Sequence, residues 1–292
     1  MSGAEGVGPG RRLRDLLAGP ELVVAPGAYD AITARAVQRA GWPAVYMTGA
    51  GTAATVGYPD YGLLGMSEMV DAVGRMTDAV DIPVIADADT GYGNELNVTR
   101  TVRSYGARGA AALHIEDQVF PKRCGHLDHK QVVPADRFVA KIEAAIEART
   151  DPDLVIIART DARAVHDLDD AVDRANRALA AGADMAFVEA PQTAEEISAV
   201  PRLVQGPCLF NLVGGGRTPP VGLAQVAEAG YRLVILPTLL LGAVVGATES
   251  ALEQLRSTGA HPDPGMAITE LFRRFGADEW DRVRDRFPDG SG

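Results

Sequence analysis

The chain has 292 residues, of which 47% are hydrophobic and 23% charged, and its formal net charge is −11. That composition describes a globular protein with enough chain for one large domain or two small ones. A pI of about 4.9 and the lack of a basic tail exclude nucleic acid as a partner, and they require that any anionic substrate be met by a local positive site, a metal or clustered bases.

Residues 1–10 are Gly-rich, lack the apolar run of a signal peptide, and are expected to be disordered. Arg11 to Ala18 has a short helical pattern. A rhythm then begins. Short apolar runs fall at Leu22–Ala25, Ala44–Met47, Pro83–Ala86, Ala111–Ile115, Leu154–Ala158, Met185–Val188, Cys208–Leu212 and Leu233–Leu236. Segments with helical spacing separate and follow them, from Ala31–Ala40 to Leu239–Ser257. Gly41, Gly109, Gly182 and Gly230 close four of these helices, where a left-handed cap is expected. Continuous apolar strands alternating with amphipathic helices mean parallel strands covered by helices. Eight such units predict a closed (β/α)8 barrel of the TIM type over residues 11–260. An open doubly wound sheet is the other solution, but Ala25-Pro-Gly-Ala-Tyr-Asp30 is not the Gly-rich turn it usually carries. The apolar stretch Leu233–Ala247 is too short to span a membrane and is interrupted by Pro237 and Thr238. Residues 261–292 break the rhythm and predict a C-terminal helical extension, packed on a neighbouring subunit. Two cysteines, Cys124 and Cys208, make no disulfide framework and fit a reducing cytoplasm.

In a parallel barrel the chemistry sits at the C-terminal strand ends, and those ends are the polar ones here. They read Tyr46-Met-Thr48-Gly49, Asp87-Ala-Asp89, His114-Ile-Glu116-Asp117, Arg159-Thr-Asp161, Glu189 and Asn211. Side chains two apart in a strand share a face, so Asp87 and Asp89 are expected to point one way, and His114 and Glu116 likewise. Acids at strand ends can be plain solvated turn residues. Three carboxylates facing inward together would repel unless a cation sat between them, and a hard divalent ion is the natural occupant. Residues 117–133 form a long polar connection, expected to be a mobile lid. It carries Lys122, Arg123, Cys124, Gly125, His126, His129 and Lys130. Positive neighbours are expected to lower the Cys124 thiol pKa from about 8.5 toward neutrality, which suits a proton donor or acceptor. Cys208, on an apolar strand, reads as a core residue.

The run Leu113-His-Ile-Glu-Asp-Gln-Val-Phe-Pro-Lys-Arg-Cys-Gly-His126 resembles the signature of the isocitrate lyase and phosphoenolpyruvate mutase superfamily, in its short bacterial branch. Tyr46-Met-Thr-Gly-Ala-Gly51, Ala86-Asp-Ala-Asp-Thr-Gly-Tyr-Gly93, Ala158-Arg-Thr-Asp161 and Asn211 through Thr218-Pro219 stand in the same order as in that superfamily. The resemblance implies a magnesium ion, or manganese in its place, held directly or through water by Asp87, Asp60, Asp89 and Glu116. It implies that Thr48, Gly49 and Ala50 bind the carboxylate of a small 2-oxo or 2-hydroxy acid. Lys122, Gly125, His126, Glu189, Asn211 and Thr218 are its further substrate contacts. Arg159 lies at the reacting end, Cys124 is the general acid, and Tyr46 lies near the substrate hydroxyl. The activity implied is carbon–carbon bond cleavage of a 2-hydroxy dicarboxylate in a cytoplasmic homotetramer, a dimer of dimers. A P–C bond-forming mutase, an oxaloacetate hydrolase or decarboxylase, and a non-enzymatic binding barrel remain as alternatives. Members that cleave methylisocitrate add two arginines for distal carboxylates. The matching positions here hold Gly242, in an apolar stretch, and Ile268, so the implied substrate is a C4-type dicarboxylate such as an alkyl-substituted malate.

Overall fold

The computed structural model describes residues 7–127 and 129–287. In chain order its elements are α1 (Pro9–Ala18), β1 (Val23–Ala28), α2 (Ala31–Arg39), β2 (Val45–Met47), α3 (Gly49–Thr55), α4 (Met66–Thr77) and β3 (Val84–Asp87). There follow α5 (Glu95–Ala107), β4 (Ala112–Glu116), α6 (Ala135–Ala148), β5 (Val155–Thr160), α7 (Ala162–Val165), α8 (Leu168–Ala180) and β6 (Met185–Val188). The last are α9 (Ala194–Leu203), β7 (Cys208–Asn211), α10 (Leu223–Ala229), β8 (Leu233–Leu236), α11 (Leu239–Thr258), α12 (Ile268–Arg273) and α13 (Ala277–Arg286). The eight strands are parallel and close into a barrel in sequence order, β8 pairing back onto β1.

Period-two alternation sorts each strand into an outer and an inner row. Outward side chains such as Val45, Val84, Leu113, Ile115 and Ile156 pack under the helices. Inward ones (Val23, Ala25, Tyr46, Ile85, Val155, Ile157, Phe187, Leu209, Leu233 and Ile235) form a separate core filling the barrel. Leu13 of α1, fully buried, joins that inner core. One step further along the same inward rows stand Asp87, Glu116, Arg159, Glu189 and Asn211, all buried. The polar layer is thus the continuation of an apolar alternation, carried to the C-terminal rim.

Gly41, Gly109, Gly182 and Gly230 have φ values of 83°, 83°, 105° and 101°, so these helices end in the left-handed caps the sequence predicts. The disordered N-terminus needs correction at its inner edge. Pro9 and Gly10 begin α1, with Pro at its first position, where the missing N–H costs nothing. Gly10 lies so close to the Asp153 carbonyl that an added Cβ would stand 2.5 Å from its oxygen. Residues 1–6 lie outside the described ones. The chain forms two compact units, Met1–Gly242 and Ala243–Gly292. That division falls inside α11, where the sequence put the boundary at 260. Among the described residues, no helix is long and apolar enough to cross a membrane.

Candidate active site

Strand register brings the first group together. Asp87 pairs with His114, and Glu116 with Arg159, across neighbouring strands. The Tyr46 hydroxyl lies 2.9 Å from His114 Nε2 and 3.3 Å from Asp87 Oδ2. Phe187 meets the His114 ring edge-on at 5.7 Å, and the Arg159 guanidinium lies 5.1 Å from the Phe187 centroid. Phe187 is therefore a fixed apolar floor under both. Burial pushes His114 down to about 4, so its ring is neutral at pH 7. Burial pushes Asp87 the other way, but His114, Lys122 and Arg159 outweigh it and bring the carboxyl to about 2.

The shared strand face expected for Asp87 and Asp89 is not what joins them. β3 ends at Asp87 and Asp89 sits in the following turn with φ 45°, so the alternation stops before it. Its backbone N–H donates to Asp87 Oδ1 at 2.9 Å, an Asx-type turn that folds the second acid back toward the first.

Arg159 is the electrostatic centre. It makes ion pairs with Glu116 at 3.2 Å, Asp161 at 3.0 Å and Glu189 at 3.4 Å. Glu189 also accepts from Asn211 Nδ2 at 3.1 Å and faces His126 Nε2 at 3.2 Å. Against burial, Arg159 and His126 hold the Glu189 carboxyl below its ordinary range.

The loop after β4 closes over these groups. Its stem pairs Val119 N–H with the Gln131 carbonyl and Val133 N–H with the Asp117 carbonyl, both at 2.8 Å. Its tip is pinned on two sides. Cys124 N–H donates to the Asp60 carbonyl at 3.2 Å, and Arg217 N–H donates to His126 Nδ1 at 3.1 Å. The bases clustered in this loop are already engaged. Lys122 bridges Asp60 and Asp89, the latter at 2.9 Å, with its side chain 3% exposed. Lys130 is spent on Asp161, and the Arg123 guanidinium lies 5.8 Å from the Tyr61 ring centroid. With its neighbours neutralised, the Cys124 thiol moves opposite to expectation: burial, then the Asp60 charge, raise its pKa. It therefore holds its proton at neutral pH, as a general acid must.

A cavity of about 50 Å³ lies beneath the loop. Tyr46, Thr48, Ala50, Asp60, Asp87, Cys124, Gly125, His126, Arg159, Glu189 and Asn211 line it. Lys122 and Glu116 stand behind this wall, and Gly49 N–H donates to Asp87 Oδ2 at 3.2 Å. Thr218 lines a neighbouring, more apolar cavity of about 190 Å³. Gly242 and Ile268 line neither, and Ile268 is 62% exposed in the second unit. The pattern reading places His114 inward and Asp161 at a strand end and counts Lys130 among the loop's bases, but gives none of them a role, and it passes over the apolar wall residue Val213; nothing local marks the part Lys130 plays.

The acids do not form a ready cage: among the described residues no three His, Cys, Asp or Glu are grouped to hold an ion. Their donor atoms nevertheless fit one. Glu116 is fully buried, neither of its oxygens accepts a well-aligned hydrogen bond, and burial raises its pKa far above the carboxylate range. Asp89 Oδ1 meets the Lys122 ammonium at 2.9 Å, and burial raises that carboxyl to about 6. A buried carboxylate with an unpartnered oxygen beside an ionised Asp87 suits a hard divalent cation, and Asp60 also lines the cavity.

The chain is similar to known proteins over most of its length. A family model described as phosphoenolpyruvate phosphomutase matches residues 13–256. The chain is 46% identical to 2,3-dimethylmalate lyase of Eubacterium barkeri, covering 78% of this chain and 79% of that one. It is 42% identical to 2-methylisocitrate lyase of Aeropyrum pernix, over 87% and 82%. Oxaloacetate acetylhydrolase in complex with 3,3-difluorooxalacetate superposes with a TM-score of 0.93 at 34% identity, covering 97% and 98%. Phosphonopyruvate hydrolase bound to oxalate and Mg2+ does so with a TM-score of 0.87 at 29% identity, covering 96% and 99%.

Proposed function

The chain belongs to the phosphoenolpyruvate phosphomutase family, within the isocitrate lyase and phosphoenolpyruvate mutase superfamily, and from that premise we propose that it is a carbon–carbon lyase cleaving an alkyl-substituted malate to pyruvate, or a close 2-oxo acid, and a carboxylic acid. One observation carries the reading. Cys124, whose thiol pKa burial raises, lines one small cavity with Tyr46 and Arg159.

Asp87 would hold magnesium, or manganese in its place, with Asp60, Asp89 and Glu116 acting directly or through water. Bound there, the ion would act as a Lewis acid on the substrate's 2-oxygen and carboxylate. The chain's own groups do the rest. Thr48, Gly49 and Ala50 hold the substrate carboxylate, with Glu189, Asn211 and His126 at the far wall. Tyr46, fixed by Asp87 and His114, lies at the substrate hydroxyl, and a base beside it takes the 2-hydroxyl proton as the C2–C3 bond breaks. Arg159 offsets the negative charge that develops. The C3 carbanion takes the proton from Cys124 Sγ, and the closed loop keeps out water that would quench it. An unpaired distal carboxylate against the apolar Val213 and Pro237 wall would cost several kcal/mol, whereas an alkyl carbon gains about 0.8 kcal/mol. The free cysteines suit the cytoplasm, and the helices of the second unit suit a homotetramer.

The test is a substrate panel of 2,3-dimethylmalate, 2-methylisocitrate and oxaloacetate with magnesium, reading 2-oxo acid by a coupled lactate dehydrogenase assay. We expect the largest kcat/KM with the dialkylmalate, and loss of turnover in a chelator with return on adding magnesium. Full turnover by metal-free protein would sink the metal assignment, and a higher kcat/KM for 2-methylisocitrate would sink the reading of the pocket. Acetate and oxalate from oxaloacetate would mark the hydrolase, and phosphorus NMR reads the mutase on the same samples.

A further inference from the structure

Lys130 is one of the least conspicuous residues of the loop and one of the most deeply placed. Its side chain is 2% exposed. Its ammonium lies 2.9 Å from Asp161 Oδ1 and donates as well to the carbonyl of Gly125, the residue after Cys124. Asp161 in turn accepts from Arg159, at 3.0 Å from Nε to Oδ2 and 3.3 Å from Nη2 to Oδ1. Asp161 is fully buried, and its backbone N–H donates to Asp117 Oδ1 at 2.9 Å, which fixes the main chain there. Asp117 is itself tied to the stem of the loop. Arg174 Nη1 spans Asp117 Oδ2 at 3.2 Å and the Val133 carbonyl at 2.7 Å.

The loop tip and the reacting-end arginine therefore share one carboxylate. Lys130 holds the loop's own tip through the Gly125 carbonyl and ties that tip to the end of β5 through Asp161. The same ammonium holds Asp161 in the place from which it orients the Arg159 fork. We infer that Lys130 is a positioning residue that couples closure of the Cys124 loop to the orientation of Arg159. The inference rests on the proposed roles of Cys124 and Arg159, but its core, the coupling of loop to strand end, can be measured without turnover.

The variants are Lys130→Met, which keeps bulk and removes the charge, and Lys130→Arg, which keeps the charge. Lys130→Gln replaces the former if it does not fold. The first readout is alkylation of Cys124 by iodoacetamide in ligand-free protein at one pH, with Cys208 as internal reference. We expect Lys130→Met to raise the Cys124 rate about tenfold or more, the factor a lost charge-assisted hydrogen bond carries. Cys208 should be unchanged, and Lys130→Arg should restore much of the protection. The second readout is steady-state cleavage of the alkylmalate. Misplacing Arg159 and Cys124 should cost kcat about 10²-fold, with a smaller change in KM. A merely structural role predicts a lower Tm and faster alkylation of both cysteines together. That result, or a Cys124 rate equal to wild type, overturns the inference. If the wild type cleaves no malate, the lyase reading fails and the alkylation arm still decides the coupling.

Discussion

Cys124 has basic neighbours in sequence and still keeps its proton, because burial disfavours the thiolate more than those neighbours favour it. Lys122 is neutralised by Asp60 and Asp89, so burial and Asp60 decide the shift upward. The sign follows for reactivity: a raised pKa means less thiolate at neutral pH, so alkylation is slow there and climbs only in alkaline solution. The rate profile of Cys124 should lie to the alkaline side of a free thiol's. Cys208, pushed up to about 12 by burial, should lie further still. A Cys124 profile with a midpoint near neutrality would contradict the geometry. Cys124→Ala should leave Tm within about 1 °C of wild type and reduce turnover about 10²–10⁴-fold, the range for losing a general acid. A variant within a few-fold of wild type would make the thiol a bystander.

At the scale of elements, the loop closes only because one residue lacks a side chain. A Cβ on Gly125 would stand 2.6 Å from Glu189 Cγ and 2.7 Å from Arg159 Nη2. Neither neighbour can yield: Glu189 is held by Asn211 and His126, and Arg159 by two further acids. Gly125→Ala should therefore hold the loop open while the barrel, which folds beneath it, keeps its stability. Expected are a near-normal Tm, loss of turnover on the order of 10²-fold, and faster alkylation of Cys124 than in the wild type. A Gly125→Ala enzyme with normal kcat would show that closure to this depth is not needed. The strands below are less delicate in kind, since their inward and outward rows are separate apolar cores that fill by volume.

At the scale of the molecule, the two units differ in how much they bury. The barrel encloses its cores, whereas α11, α12 and α13 contain no buried residue. Phe272, Trp280 and Phe287 are 56%, 71% and 71% exposed, more apolar surface than short helices leave uncovered in isolation. Burial against other copies of this chain is the proposed resolution. Sedimentation velocity at micromolar concentration should give a mass several times that of one chain, and Trp280→Glu with Phe272→Glu should shift it downward. A monomeric wild type would end the tetramer proposal.

The barrel was legible because its signal is repeated and local: eight apolar runs, helical spacing between them, and glycine at the helix ends. The chemistry-bearing side chains at the strand tops were legible for the same reason, since alternation carries Glu116 and Arg159 inward from a readable apolar row. What the sequence could not decide was which charges cancel which. Lys122, Lys130 and Arg123 look alike in a basic loop, yet two are buried against acids from 31 or more residues away along the chain, Asp60 and Asp161 among them, and one lies on an aromatic face. Asp89 reaches Asp87 through a left-handed turn that no alternation predicts. The direction of the Cys124 shift follows from these pairings and from burial. Coulomb energies and desolvation depend on distance and depth in space, and neither is written in spacing along the chain.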